Sequence, residues 1–90
     1  MYVVRPQGEI FDQIARDLKA EFLTLTPIHP RVVVDLSMVT YFASEAVTAV
    51  VVAIRAAASV GHEVCVEVVR GTSPQRVLEL CGIPFGIVER

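Results

Sequence analysis

The chain has 90 residues, 53% of them apolar, and ten acidic against eight basic side chains, for a formal net charge of −2. That composition excludes disorder, and the length excludes more than one domain with one modest core. It offers no basic cluster for a polyanion, and two cysteines are too few for a disulfide framework. The N-terminus lacks a basic stretch followed by an apolar one, and the longest apolar run, residues 46–54, falls well short of the roughly 20 needed to span a bilayer. A cytoplasmic globular protein is expected.

Tyr2 to Arg5 is a short β-prone run closed by Pro6 and Gly8, so it should form a strand at or near an edge. From Glu9 to Thr26, Phe11, Ile14, Ala15, Leu18, Phe22 and Leu25 recur at helical spacing and define one apolar face. Pro27 and Pro30 bracket a loop. Arg31 to Leu36 carries three consecutive valines, the pattern of a central parallel strand buried on both faces. Asp35 ends that strand, where its carboxylate can tie down the following loop, a structural role.

Residues 44–59 return to helical spacing, with Val47, Val50, Val51, Ile54 and Ala58 on the expected core side. Ser44 is placed to be its N-cap and Gly61 its C-terminal stop. The opposite side takes Glu45, Ala49, Val52 and Ala56, and is unusually apolar for a surface helix. Residues 62–69 alternate as a second strand. Ser73 and Pro74 open a third helix as its cap and first residue, a structural role for Ser73. Val77, Leu78, Leu80 and Cys81 give it an apolar side, Gly82 ends it, and residues 83–90 form a tail with a terminal strand. Strands alternating with helices predict an α/β fold with a small, mainly parallel sheet.

Searches for chemistry return little. The five glycines are scattered, so there is no phosphate-binding loop. The metal-ligand inventory is His29, His62, Cys65 and Cys81, and the pair three apart on a strand points to opposite faces, so no metal and no cofactor are expected. A thiol enzyme using Cys81, or a hydrolase using Ser44, has no base with supporting geometry, and Cys65 and Cys81 read as packed free thiols.

The informative segment is Arg31 to Gly82, with D-L-S at 35–37, T-Y-F-A-S-E-A at 40–46, R-A-A-A-S-V-G at 55–61 and S-P-Q-R-V-L-E-L-C-G at 73–82. It resembles the STAS domain family, the bacterial anti-sigma factor antagonists, in which a valine-rich strand ends in D-L-S. There a T-F-I-D-S-S-G-L segment follows, one helix ends in R-x-x-x-x-x-G, and another reads S-P-x-x-R-x-L-E-L-x-G. Gly8 and Glu9 match the family's early G-E-L-D turn. The resemblance covers essentially the whole chain.

It implies a single non-catalytic domain spanning residues 1–90, lacking the family's first strand. It also implies a function as a protein-interaction module in partner-switching control of transcription. The serine that an anti-sigma kinase phosphorylates corresponds to Ser44, with Ala43, Glu45 and Ala46 in place of the motif's Asp, second Ser and Gly. The expected partner is an anti-sigma factor of serine-kinase type, met by Thr40, Ala43, Glu45, Thr48, Ala49 and Val52. A scaffold subunit with a fixed partner in a lipid-transport or sensory complex is the alternative. A sheet short of one strand leaves an open edge, so homodimerisation through that edge or through the N-terminal strand is a further expectation.

Overall fold

A computed structural model describes residues 1–88. The chain runs β1 (Tyr2–Val4), β2 (Gly8–Ile10), α1 (Asp12–Leu25), β3 (Arg31–Asp35), β4 (Val39–Phe42), α2 (Ser44–Ala58), β5 (Glu63–Val69), α3 (Ser73–Leu80) and β6 (Gly86–Val88). Four strands form one sheet in the order β1-β3-β5-β6, every pair parallel. Val32, Val33 and Val34 therefore sit in a strand flanked on both sides, which is why all three are buried.

Each crossover steps along the sheet in the same direction. Right-handed connections then gather the helices over one face. Side-chain alternation agrees: Val4, Val32, Val34, Val66 and Val68 enter one core cluster with Leu18, Phe22, Val50, Ala53 and Leu78. Val33 is buried but stands outside that cluster, on the other face. α1 and α2 lie side by side, and Ala15 and Ala49 are both buried.

Two short strands depart from the expected order. Gly8–Ile10 is a strand rather than the start of the first helix, and it pairs in parallel with Val39–Phe42 in a separate two-stranded sheet. The pairing shifts register between Gly8 and Glu9. Gly8 has φ 78°, a left-handed conformation that favours glycine, and its N–H donates to the Met38 carbonyl at 3.0 Å. Strands of three and four residues with an irregular register cannot show a period, so neither declares itself in the pattern.

Further corrections concern caps and faces. Ala43, not Ser44, is the N-cap of α2, and Thr72, not Ser73, is that of α3; neither side chain caps the helix N–H groups, and the Thr72 hydroxyl donates instead to the Val69 carbonyl at 2.6 Å. Ser73 and Pro74 are instead the first two helical residues of α3. In α2 the buried line is Ala46, Val47, Ala49, Val50, Ala53 and Ala57, while Val51 and Ile54 are half-buried and Ala58 is exposed. The core side is thus turned from the expected one, because alanines lie where the helix comes close to the sheet and to α1. In α1, Phe11 and Ile14 are exposed, whereas Ala15, Leu18 and Phe22 are buried as expected. α3 buries Leu78 but leaves Leu80 (88% accessible) and Cys81 exposed. The tail contributes β6; residues 89–90 of that expected segment lie outside the described residues.

Candidate functional site

The turn that leads into α2 is fastened from two directions. The Ala43 N–H donates to the Ile10 carbonyl of β2 at 3.0 Å. One residue earlier, the Phe42 N–H donates to Ser73 Oγ at 3.3 Å. That second bond joins residues 31 apart in sequence and fixes the end of β4 to the first residue of α3. Phe42 itself is buried, so the extended residue Ala43 leaves the core along a fixed direction.

Ser44 is then the first helical residue of α2 and is exposed. Among the described residues its hydroxyl has no hydrogen-bond partner. Its carbonyl accepts from Thr48 Oγ1 at 3.3 Å. Ser44, Thr48 and Arg55 lie on one side of the helix, all exposed, with Val51 and Val52 half-buried alongside. Free N–H groups and the positive end of the helix dipole lie beneath Ser44, so added negative charge there is tolerated by the helix itself.

Glu45 follows at the same helix end. Its Oε2 is 3.8 Å from Arg16 Nη1 of α1, and both side chains are at least half exposed. An exposed pair at that distance contributes about 0–1 kcal/mol. Its consequence is positional: the carboxylate leans over the α1–α2 groove, which Lys19 and Thr48 also line.

Of the residues expected on the partner surface, Thr40, Glu45 and Thr48 are exposed, and Ala43 and Val52 are half-buried. Ala49 is fully buried and cannot meet a partner in this conformation. Val52 is less open than its helical position suggested, because α1 lies alongside that flank of α2. Arg16 and Arg55 were missed. Only the packing of α1 on α2 brings Arg16 to the site, whereas Arg55 already stood at i+11 from Ser44, on the same helical side.

Asp35 ends β3 and is almost fully buried. Its Oδ2 accepts from Arg5 Nε at 2.7 Å and its Oδ1 from the Ser37 N–H at 2.9 Å. Burial alone would raise its pKa. The hydrogen bonds from Arg5 and from the Ser37 backbone and hydroxyl, with the charge of Arg5, outweigh burial and hold the carboxyl below its ordinary value. The result ties the end of β1 to the end of β3 and to the turn toward β4.

No group of three or more His, Cys, Asp and Glu side chains that could hold a metal occurs among the described residues. His62 Nδ1 lies 2.8 Å from the Thr26 carbonyl, an attachment between the start of β5 and the end of α1. Cys65 is half-buried and Cys81 is exposed, so neither is the packed thiol expected. Among the described residues no helix is long and apolar enough to cross a membrane.

A four-stranded parallel sheet with three helices on one face, and an exposed serine opening the second, defines a small α/β domain. The chain belongs to the STAS domain family, whose family model matches residues 1–88. Its fold is similar to that of the anti-sigma factor antagonist SpoIIAA in its unphosphorylated form. The TM-score is 0.72 at 15% sequence identity, over 96% of this chain and 78% of that one. No curated protein matches the chain.

Proposed function

We propose that this domain is an anti-sigma factor antagonist: a cytoplasmic, bacterial protein-interaction module without catalysis of its own. Its partner is an anti-sigma factor of serine-kinase type. The unphosphorylated chain captures the kinase and frees a sigma factor, and phosphorylation of Ser44 reverses the capture. The observation that carries this reading is the exposed, unpartnered Ser44 hydroxyl at the first position of α2, on a turn fastened from β2 and α3.

A phosphate on Ser44 adds close to two negative charges. Because the helix end tolerates them, the effect falls on the partner, which must desolvate or repel them across Ser44, Thr48 and Val52. Glu45 adds a carboxylate to the same patch, and Arg16 offsets part of that charge.

The scaffold alternative draws on one feature: Ala43, Glu45 and Ala46 replace three of the four residues of the D-S-S-G motif. Binding of an anti-sigma kinase to wild type, Ser44→Ala and Ser44→Asp separates the two readings. A switch gives binding by wild type and Ser44→Ala and loss with Ser44→Asp. Equal binding by all three leaves the scaffold.

A further inference from the structure

Ser44 sits beside a rim of positive charge that α1 supplies. The side chains of Arg16 and Lys19 line the groove between α1 and α2, together with Glu45 and Thr48. Glu45 is the next residue after Ser44. Thr48 lies one turn below Ser44 and about 40° around the helix from it. Its hydroxyl donates to the Ser44 carbonyl at 3.3 Å. Helical side chains lean toward the N-terminus, so Glu45 and Thr48 carry the wall of the groove toward the serine's end of α2.

Arg16 is held in place from its own helix. Its Nε donates to Gln13 Oε1 at 3.2 Å, and Gln13 Nε2 donates in turn to Asp17 Oδ1 at 2.8 Å. The terminal nitrogens of the guanidinium are left for α2, where Nη1 lies 3.8 Å from Glu45 Oε2. A charge-assisted hydrogen bond is about 2.7–2.9 Å long, so this exposed pair is loose and weak. Lys19, exposed and one turn further along α1, has no ion-pair partner among the described residues. Two cations thus border the groove beside Ser44, and no carboxylate holds either of them firmly.

Resting on the reading of Ser44 as the phosphorylated residue, we infer that Arg16, with Lys19 behind it, receives the phosphate once Ser44 carries one. The guanidinium leaves Glu45 for the phosphate, which bears nearly two charges against the carboxylate's one and offers oxygens to both terminal nitrogens. The acidic side chains on the elements that meet here are Glu9 of β2, Asp12 and Asp17 of α1, and Glu45. They work against the phosphate, and Gln13 already engages Asp17. The phosphate is drawn toward α1 and Glu45 loses its counter-charge. A partner then meets a fixed anionic ridge, a phosphate beside an uncompensated carboxylate, where the unmodified chain presents a neutralised pair. Glu45 in place of the motif's second Ser is compatible with a switch for this reason: Arg16 masks it until the phosphate arrives.

The test installs phosphoserine at position 44 of the full chain during synthesis, with no kinase, and follows its second ionisation by phosphorus NMR at about 0.15 M salt. Arg16→Gln should raise that pKa by about 0.4 unit, because the dianion loses its cation. Arg55→Gln removes the same charge from the same helical side, but about 16 Å further along α2, beyond the screening length. It should leave the value within about 0.1 unit of wild type. Both substitutions change exposed side chains and should keep the fold by circular dichroism. An Arg16→Gln chain that titrates like wild type, or an Arg55→Gln chain that shifts as far as Arg16→Gln, overturns the inference. Either result leaves the switch itself standing, since phosphorylation of Ser44 and kinase capture are measured separately. A kinase that ignores Ser44 defeats the switch without altering this titration.

Discussion

The two long sides of α2 share valines but otherwise differ in residue type, and they end in different places. On the inner side Ala46, Ala49, Val50, Ala53 and Ala57 have no accessible surface. On the outer side Ser44, Thr48 and Arg55 are exposed and Val51 and Val52 are half-buried. Four of the five inner residues are alanines, and their small side chains let the helix lie close to both the sheet and α1. The outer side contributes hydroxyls, one cation and the edges of two valines. Small apolar side chains mark the side that holds the fold, and hydroxyls and a cation mark the side free to meet a partner.

The largest expected effect breaks the inner side. Val50→Asp places an unpaired carboxylate in the core and should cost more than about 4 kcal/mol, enough to unfold a domain of this size. Urea melts showing a folded, cooperative Val50→Asp protein would remove the distinction between the sides.

Asp35→Asn comes next, at about 1.5–3 kcal/mol, because it weakens charge-assisted bonds from Arg5 and Ser37. The sign with pH follows from the lowered pKa. The folded state holds its proton more weakly than the unfolded one, so this stabilisation is complete above the ordinary carboxylate range. It is lost as pH falls through Asp35's depressed value. Acid titrations of stability should therefore be flatter for Asp35→Asn than for wild type in that window.

Ser73→Ala removes the acceptor for the Phe42 N–H and should cost about 1 kcal/mol, with faster amide exchange at Phe42. Unchanged exchange there would show that the turn before Ser44 is held without α3.

The smallest effects on stability belong to the outer side. Ser44→Asp should change it by less than about 1 kcal/mol and in the favourable direction, since an acid suits a helix N-terminus. Val52→Glu, at a half-buried position, should cost about 1 kcal/mol, yet both should abolish capture of an anti-sigma kinase. Full binding by Val52→Glu would move the docking surface off α2.

Much of this architecture is legible in the sequence. The valine runs in β3 and β5 and the helical spacing in α1 are strong periodic signals, and they place the sheet and its crossovers. The facing of α2 is not legible, because residues 46–54 are almost uniformly apolar and no period tells inside from outside. Tertiary packing against the sheet and α1 decides that, and Ala49 is buried. Ser44 comes from the resemblance at 40–46, and the structure shows it exposed at a helix start. The bonds that fasten its surroundings, Ser73 to Phe42 and Arg5 to Asp35, span about thirty residues each and leave no local trace. Cys81 and Leu80 were assigned inward from an apolar run of helical residues, yet α3 is short and buries only Pro74 and Leu78.

The central claim is that Ser44 is the switch. The most direct measurement is site-resolved mass spectrometry of the chain after incubation with an anti-sigma serine kinase and ATP. A single phosphate on Ser44, absent from Ser44→Ala, is the predicted result. A kinase that binds the chain yet leaves Ser44 unmodified, or places the phosphate on another hydroxyl, would contradict it.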